Sequence, residues 1–567
     1  MKNQSLKGLA AIALAGGLTT TSCDLLKDVD YTVTPDPLEM HGDSVRIKVE
    51  GVLPEKGLNK KASVEITPSV GGVALKTITI QGEKAEGNGQ TIMFKPGGKF
   101  TYTDVVAYKP SMEESELSVS GVVYKKGKEK DQFGPEKIAD ATIITPYLVQ
   151  NDQKVLIGAD QFQRVTEEVA KAQINYLKNM SNVRPAEMKD EDIKAFEAFM
   201  AAAQTNPKIA PKTINILAYA SPEGEEGRNN ELSTARSESG KKATASIAKK
   251  AKNEFGQADE SFNLQAKGED WAGFKAELEK SEMQEDEKNL VLRVLSMYSD
   301  PAQREKEMRN MAKTFDYLEK NVLPQLRRSQ INFVYDLTGY SDEELTALAK
   351  TNPDTLKVEE LLFAATLTDD LNEKLRIYKE VERLYSEDWR GPNNVGYVLF
   401  LQGKTNEAKA KFEKANNMQE NPQSLNNLGV IAHISGDRTK AKELYGQAMS
   451  AGAEVKYNMG IANIQDGKYE DAVSNMGDEK TFNKALAQVL AGNLDAASST
   501  IDEADAKEEA MSYYLKAIIA ARQNNENAVV NNLKSAFGKD ASLKAKAAKD
   551  REFIKFFESS AFLATVK

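Results

Sequence analysis

The chain has 567 residues, a net charge of −10, and 40% hydrophobic and 28% charged residues. That length exceeds what one hydrophobic core can serve and predicts about three or four domains. The acidic balance argues against a binder of nucleic-acid backbone, which needs a basic surface. One cysteine and two histidines, His41 and His433, leave too few ligands for a zinc site, and no Cys–His catalytic pair is expected because the only cysteine lies at the end of a leader. No Walker-type phosphate loop, G-x-S-x-G or H-E-x-x-H occurs. Adjacent carboxylates such as Glu225 and Glu226 read as solvated faces in a chain with 85 acidic residues. No enzyme, no metal and no cofactor is expected.

Lys2 and Lys7 precede an apolar run over 9–18, then small residues over 19–22, then Cys23. A run of about ten residues is too short to cross a bilayer as a helix and reads as a secretion signal. A lone cysteine behind small residues resembles a bacterial lipoprotein signal. The resemblance implies that 1–22 are removed and that Cys23 is lipidated, anchoring the protein in the outer membrane. Each buried acyl methylene contributes about 0.8 kcal/mol, so more than one chain makes release rare. The plainer alternative is an ordinary signal peptide with an incidental cysteine. Asp24, Asp28 and Asp30 resemble the surface-export signals of Bacteroidetes lipoproteins, and the face of the membrane stays open. Residues 23–33 read as a tether.

Over 34–150 the pattern is strand-rich. The stretches 44–50, 62–67, 75–80 and 117–124 alternate with period two, as sheets with one wet face do. Gly71-Gly72, Pro96-Gly97-Gly98 and Lys126-Gly127 supply turns between them. A β-sandwich is expected. Tyr102, Tyr108 and Tyr124 read as core or edge packing ahead of a sugar platform.

The middle, 152–338, alternates helix and strand, which predicts a sheet with helices packed on it. Ile193, Phe196, Phe199 and Met200 put one apolar face on a helix over 190–204. The apolar run 214–220 predicts a strand covered on both faces. A turn at 221–224 follows, with Asn229-Asn230 as the cap of a helix over 233–252. A third strand is expected at 262–266, three helices over about 269–322, and a closing strand over 327–335. Gly224, Asn229, Leu232, Ser233 and Arg236 fall on the spacing G-x-x-x-x-N-x-x-L-S-x-x-R. This stretch resembles the OmpA C-terminal-like domain, which holds peptidoglycan, and Arg327-Arg328 resembles that family's closing strand. The resemblance implies that Arg236 grips a carboxylate of the peptide stem, beside Asn229 and the position of the family's aspartate, here Ser221. An arginine fork suits a carboxylate because two parallel N–H bonds form. A serine cannot pair with an ammonium group. Two readings follow: a wall-binding module, and an OmpA-like fold with a degenerate pocket.

From 341 to 567 the chain is helical and repetitive. Gly396/Gly429, Gly403/Gly436, Ala408/Ala441, Phe412/Tyr445 and Ala415/Ala448 recur at an offset of 33, with a third copy at Gly460, Gly467 and Ala472 offset by 31. Weaker copies are expected at 361–378, at 486–497 around Gly492, and at 511–533, with 550–562 closing the stack. The pattern resembles the tetratricopeptide repeat, a helix–turn–helix of about 34 residues. The resemblance implies a solenoid with a concave groove that binds a protein partner. Asn393, Asn394, Asn426, Asn427 and Asn458 are the candidate groove residues, because an amide can hold a peptide backbone by paired hydrogen bonds.

The expected chain is multidomain: an all-β sandwich, a central α/β OmpA-like domain with a helical insertion, and an all-α solenoid. The expected function is a non-enzymatic envelope scaffold. It would engage peptidoglycan or another envelope component through its middle and an unidentified envelope protein through its repeats. The alternative is a scaffold, including a secretion accessory, whose OmpA-like module no longer binds peptidoglycan.

Overall fold

The period-two stretches fold as strands in the computed structural model, which describes residues 25–567. In chain order they are β1 (Asp30–Thr34), β2 (Met40–His41), β3 (Ser44–Leu53), β4 (Ala62–Val70), β5 (Val73–Ala74), β6 (Ile78–Gly82), β7 (Gln90–Ile92), β8 (Gly98–Ala107), β9 (Ser115–Lys125) and β10 (Lys128–Ala141). β3 centres the first sheet, antiparallel to β8 on one edge and to β1 and β2 on the other. The second sheet runs β10-β9-β4-β6-β7, with β5 on the end of β4. Alternate residues of β3 and β4 are buried, as their sequence pattern requires. Val45, Ile47, Val49 and Tyr102 of the first sheet share a core with Val70, Leu117 and Ala139 of the second. The two sheets therefore pack face to face. The tether expected over 23–33 is corrected from Leu25 onward. Leu25 is buried in the sandwich core with Leu58, and β1 pairs with β3. Cys23 lies outside the described residues.

The chain divides into two units. Asp160–Leu367 is one; the described residues up to Ala159 form the other with Thr368–Lys567. In the Asp160–Leu367 unit, β11 (Val165–Asn175), β12 (Ile209–Ala220), β13 (Phe262–Glu269) and β14 (Arg328–Thr338) form a sheet ordered β11-β14-β12-β13. Only the β12–β13 pair is parallel. Helices Glu191–Thr205 and Glu226–Lys250 pack on it: Ile193, Phe196, Met200 and Ile247 share a core with Ile174, Ile214, Ile216, Ile331 and Phe333. β12 is not covered equally on both faces. Ile214, Ile216 and Ala218 are buried, and the residues between them are only half-buried, because both helices pack against the same set of side chains. The second helix also begins at Glu226, ahead of the expected start near Ser233, so Asn229 and Asn230 lie inside it rather than capping it. The insertion is more broken than three helices: Trp271–Lys280, Glu285–Met297, Pro301–Asn310, Ala312–Tyr317, a π-turn over Leu318–Val322 and Leu323–Leu326. It has its own core of Phe274, Leu278, Val291, Met308, Leu318 and Val322.

The expected boundary at 341 moves to 367. Helices Asp342–Thr351 and Val358–Ala364 stay with the α/β sheet, tied by the Arg164–Asp342 pair, by Lys208 on Glu344 at 2.9 Å, and by Phe162 against Phe363 at 4.6 Å. The repeat expected at 361–378 is thus divided between the two units.

The solenoid begins with Leu371–Leu384 and continues as helix pairs: Arg390–Leu401 with Thr405–Met418, Pro422–Ile434 with Arg438–Gln447, Ala453–Gln465 with Tyr469–Asn475, Phe482–Leu490 with Leu494–Glu503, and Ala510–Arg522 with Glu526–Lys539. Small residues permit the close pairing. A Cβ added at Gly396 or Gly429 would lie 2.7 Å from the Phe412 or Tyr445 ring, and one at Gly460 would lie 2.7 Å from Met476, which replaces the aromatic in the third copy. The first four pairs turn on left-handed glycines, Gly403, Gly436, Gly467 and Gly492, and the fifth on Asn524 at φ 56°. That shared turn marks the two weak copies as true repeats.

The sandwich belongs to the same unit as the solenoid. Gly42 lies so close to Gly467 that a Cβ on the latter would meet Gly42 N at 2.8 Å. The His41 ring meets Tyr469 edge-on at 5.0 Å, and Thr145 Oγ1 donates to Glu552 at 2.5 Å. Glu552 in turn pairs with Arg522.

Gly429→Ala places a methyl group against the Tyr445 ring inside a packed repeat. We expect a loss of about 1–3 kcal/mol in urea unfolding, the usual cost of overpacking.

Candidate functional site

The first helix of each of four successive pairs places an asparagine two residues before the close-packing small residue: Asn394, Asn427, Asn458 and Asn483. All four are buried. They face the chain's own segment 150–158, which has no helix or strand of its own and lies along the groove. Each amide holds both main-chain groups of one residue. Asn394 Oδ1 accepts from Gly158 N at 2.7 Å and its Nδ2 donates to Gly158 O at 2.9 Å. Asn427 does the same for Leu156 at 2.7 and 2.7 Å, Asn458 for Lys154 at 2.7 and 2.8 Å, and Asn483 for Gln150 at 2.8 and 2.9 Å. Asn393 and Asn426 donate second bonds to Leu156 O and Lys154 O, at 3.1 and 2.9 Å. Between the two outer contacts, Asp152 receives the Tyr457 hydroxyl at 2.8 Å and Asn483 Nδ2 at 2.8 Å.

The geometry follows from two periods. An extended chain presents main-chain groups on one side at every second residue. The solenoid presents one asparagine per repeat. Matching the two gives 158, 156 and 154 against the first three pairs, so the segment runs antiparallel to the repeat order. In the fifth pair Leu515 stands where the asparagine would be, and Leu148 joins the same apolar cluster. Val155 and Leu156 pack against the cluster of Leu425, Val430 and Tyr445. Gly158 is required by space: a Cβ there would lie 2.5 Å from Arg390 Cγ.

The groove expectation is corrected accordingly. Asn394, Asn427 and Asn458 do grip an extended backbone, but it is the chain's own. Segment 152–159, expected to open the α/β domain, is instead held by the solenoid. Asn483 and Tyr457 were missed. Asn483 sits in a short, divergent repeat, where only the fixed distance to the Gly492 turn identifies its position.

The second cluster gathers Ser221, Asn229 and Arg236 at the end of β12, as expected from their spacing. Its bonds turn inward. Arg236 is 1% exposed. Its Nε donates to Met180 O at 3.0 Å, Nη1 to Tyr219 O at 2.9 Å and Nη2 to Leu177 O at 3.3 Å, with the Tyr176 ring 5.2 Å away. Burial pushes its pKa down to about 10, which leaves it charged at neutral pH. Ser221 Oγ donates to Glu223 Oε1 at 2.9 Å and accepts from Arg327 Nε at 3.2 Å. Arg327 and Glu223 form a buried ion pair at 2.7 Å. Asn229 Nδ2 donates to Gly224 O at 3.0 Å and to Glu269 Oε1 at 2.8 Å. The acid of this cluster is thus Glu223, two residues beyond the serine. Its cation is Arg327, delivered after the helical insertion. Neither pairing is visible in the local motif.

His433 is buried between Tyr445 OH, 3.3 Å from Nδ1, and Gln465 Oε1, 2.8 Å from Nε2. Nε2 carries the proton donated to Gln465, and Nδ1 accepts from the tyrosine. Among the described residues no group of three or more His, Cys, Asp or Glu is placed to hold a metal.

No protein-family model matches the chain. No curated protein matches it. Similar solved structures include two described as tetratricopeptide repeat proteins. The Cut9–Hcn1 hetero-tetramer of the APC/C aligns at TM-score 0.32 and 11% identity, over 38% of this chain and 45% of that one. A tetratricopeptide repeat protein from Parabacteroides merdae aligns at TM-score 0.27 and 15% identity, over 44% and 98%. YrrB, described as a TPR protein with an unusual peptide-binding site, aligns at TM-score 0.22 and 19% identity, over 36% and 99%. The chain spans less than half of the Cut9–Hcn1 chain it matches. The helix pairs, the glycine contacts and the shared turns define the solenoid without these likenesses.

Arg236→Ala strands the carbonyls of Leu177, Met180 and Tyr219. We expect a loss of about 2–3 kcal/mol in urea unfolding, from unmet buried acceptors. Burial, more than its other neighbours, also holds the His433 pKa below 6.5, and burial does the same for His41. The folded chain therefore binds these protons less readily than the unfolded chain. The associated stability is present above pH 6.5 and is lost as pH falls through the lowered folded values. NMR titration of the two imidazoles is expected to give both midpoints below 6.5, and His433→Gln to flatten the fall in melting temperature between pH 6.5 and 5.

Proposed function

We propose that the chain is a non-enzymatic scaffold of a bacterial envelope, anchored in the outer membrane through a lipid on Cys23. The observation that carries the scaffold reading is the asparagine ladder. The solenoid holds an extended polypeptide by its main chain at four positions, Gln150, Lys154, Leu156 and Gly158, without depending on most of its side chains. The anchor rests on the leader sequence, a short apolar run and small residues ahead of a lone cysteine.

The α/β unit is OmpA-like in this reading, supported by the motif spacing and by the gathering of Ser221, Asn229 and Arg236 at the end of one strand. Its contact is with an envelope component other than peptidoglycan. Three donors of Arg236 are committed to main-chain carbonyls, and Ser221 is committed to Glu223 and Arg327. A peptide-stem carboxylate would have to displace bonds that hold the loop at 177–180.

The mature protein is expected to stay in the supernatant when mixed with insoluble peptidoglycan and centrifuged. Saturable sedimentation would restore the wall-binding reading. In cells, Cys23→Ala is expected to move the protein from the membrane to the soluble fraction; retention in the membrane sinks the anchor.

A further inference from the structure

The groove of the solenoid is occupied, and the manner of occupation points to a displaceable occupant. The four bidentate asparagines read only N–H and C=O, so they are satisfied by an extended chain with these groups free at three alternate residues and at a fourth residue four positions before the first of them. The native segment is not an optimal fit. Gln153 is buried in the groove, and its Nε2 has no hydrogen-bond partner. A buried donor without a partner carries its full desolvation cost. Lys154, by contrast, leaves its side chain half in solvent, with Nζ over the Tyr457 ring at 5.4 Å. The segment is held by side-chain amides, by Asp152 on Tyr457 and by the packing of Val155 and Leu156, and not by hydrogen bonds to a neighbouring strand.

We propose that residues 150–158 are an intramolecular pseudoligand, and that the groove is a binding site for an extended segment of another protein that displaces them. This rests on the scaffold reading. The geometry states the chemistry of the incoming segment. Free N–H groups are needed at the positions of Gln150, Lys154, Leu156 and Gly158, which excludes proline there. Glycine is needed at the position of Gly158, where a Cβ would meet Arg390 and lie 3.1 Å from Trp389. An apolar residue belongs at the position of Leu156, beside Leu425 and Val430. An acid belongs at the position of Asp152, to accept from Tyr457 and Asn483. An apolar residue at the position of Gln153 removes the unmet donor, so a competitor can bind better than the native segment.

The test uses a fluorescein-labelled peptide of residues 149–160 and the full mature chain, followed by fluorescence anisotropy. Leu156→Pro in the chain removes the N–H that Asn427 Oδ1 accepts and weakens the native segment. The peptide is expected to bind this variant at least tenfold more tightly than wild type. Adding Asn427→Ala is expected to reverse the gain, and a peptide with proline at its own Leu156 position is expected to bind neither. Equal affinity for wild type and a folded Leu156→Pro variant would overturn the proposal. Hydrogen exchange of wild type gives a second reading that needs no variant. The Lys154, Leu156 and Gly158 amides are expected to exchange at least tenfold faster than the slowest amides of the repeat helices. Exchange of both sets only by global unfolding would make the segment a permanent seam and overturn the proposal. Such a failure, alongside saturable capture of an envelope protein by wild type, would leave the scaffold reading standing with its partner on another surface.

Discussion

Four buried asparagines and one extended strand of backbone hold the larger unit of this protein in its present form. An amide buried without partners is costly, and so is an extended backbone with no sheet to join. Each solves the other's problem. The side-chain amide offers one acceptor and one donor at a separation that matches the N–H and C=O of a single residue. Repeating that match along the solenoid converts a linker into a structural element. The sandwich is held in the same unit through Gly42 against Gly467, the turn of the third pair, and Thr145 on Glu552 beyond the fifth. Segments far apart in sequence are joined, and the α/β unit emerges as an insertion between them.

The second cluster shows the same economy with a different outcome. Arg236 occupies the place that its motif spacing predicts, ten residues into helix Glu226–Lys250 and against the end of β12. It is spent on main-chain carbonyls that hold a neighbouring loop. Its charge persists without a carboxylate in direct contact, stabilised by three oxygens and an aromatic face. Glu223 and Arg327 then close the space around Ser221. A residue type that suits a ligand suits a loop equally well, because a carbonyl oxygen and a carboxylate oxygen accept the same hydrogen bonds.

Legibility varied with the range of the interaction. The strands of the sandwich were legible because alternation is local and β3 and β4 follow it residue by residue. Helix pairing in the solenoid was legible because Gly429 and Tyr445 must recur together if two helices are to touch. The start of the helix at Glu226 was not, since Asn229 is as good a cap as it is an interior brace of the turn at Gly224. The boundary near 341 was misplaced because helices Asp342–Thr351 and Val358–Ala364 look like repeat helices in sequence. Long-range contacts such as Arg164–Asp342, Lys208–Glu344 and Phe162–Phe363 assign them to the sheet.

By itself the sequence determined the three architectures, the repeat length, and the asparagines as backbone-holding groups, because periodicity and amide chemistry are properties of short stretches. The tertiary structure alone decided which backbone those amides hold and which donors Arg236 has left. Both depend on what else reaches the same point in space. A hydrogen-bonding group specifies the chemistry of its partner but not its address, and the address is set by how distant parts of the chain pack.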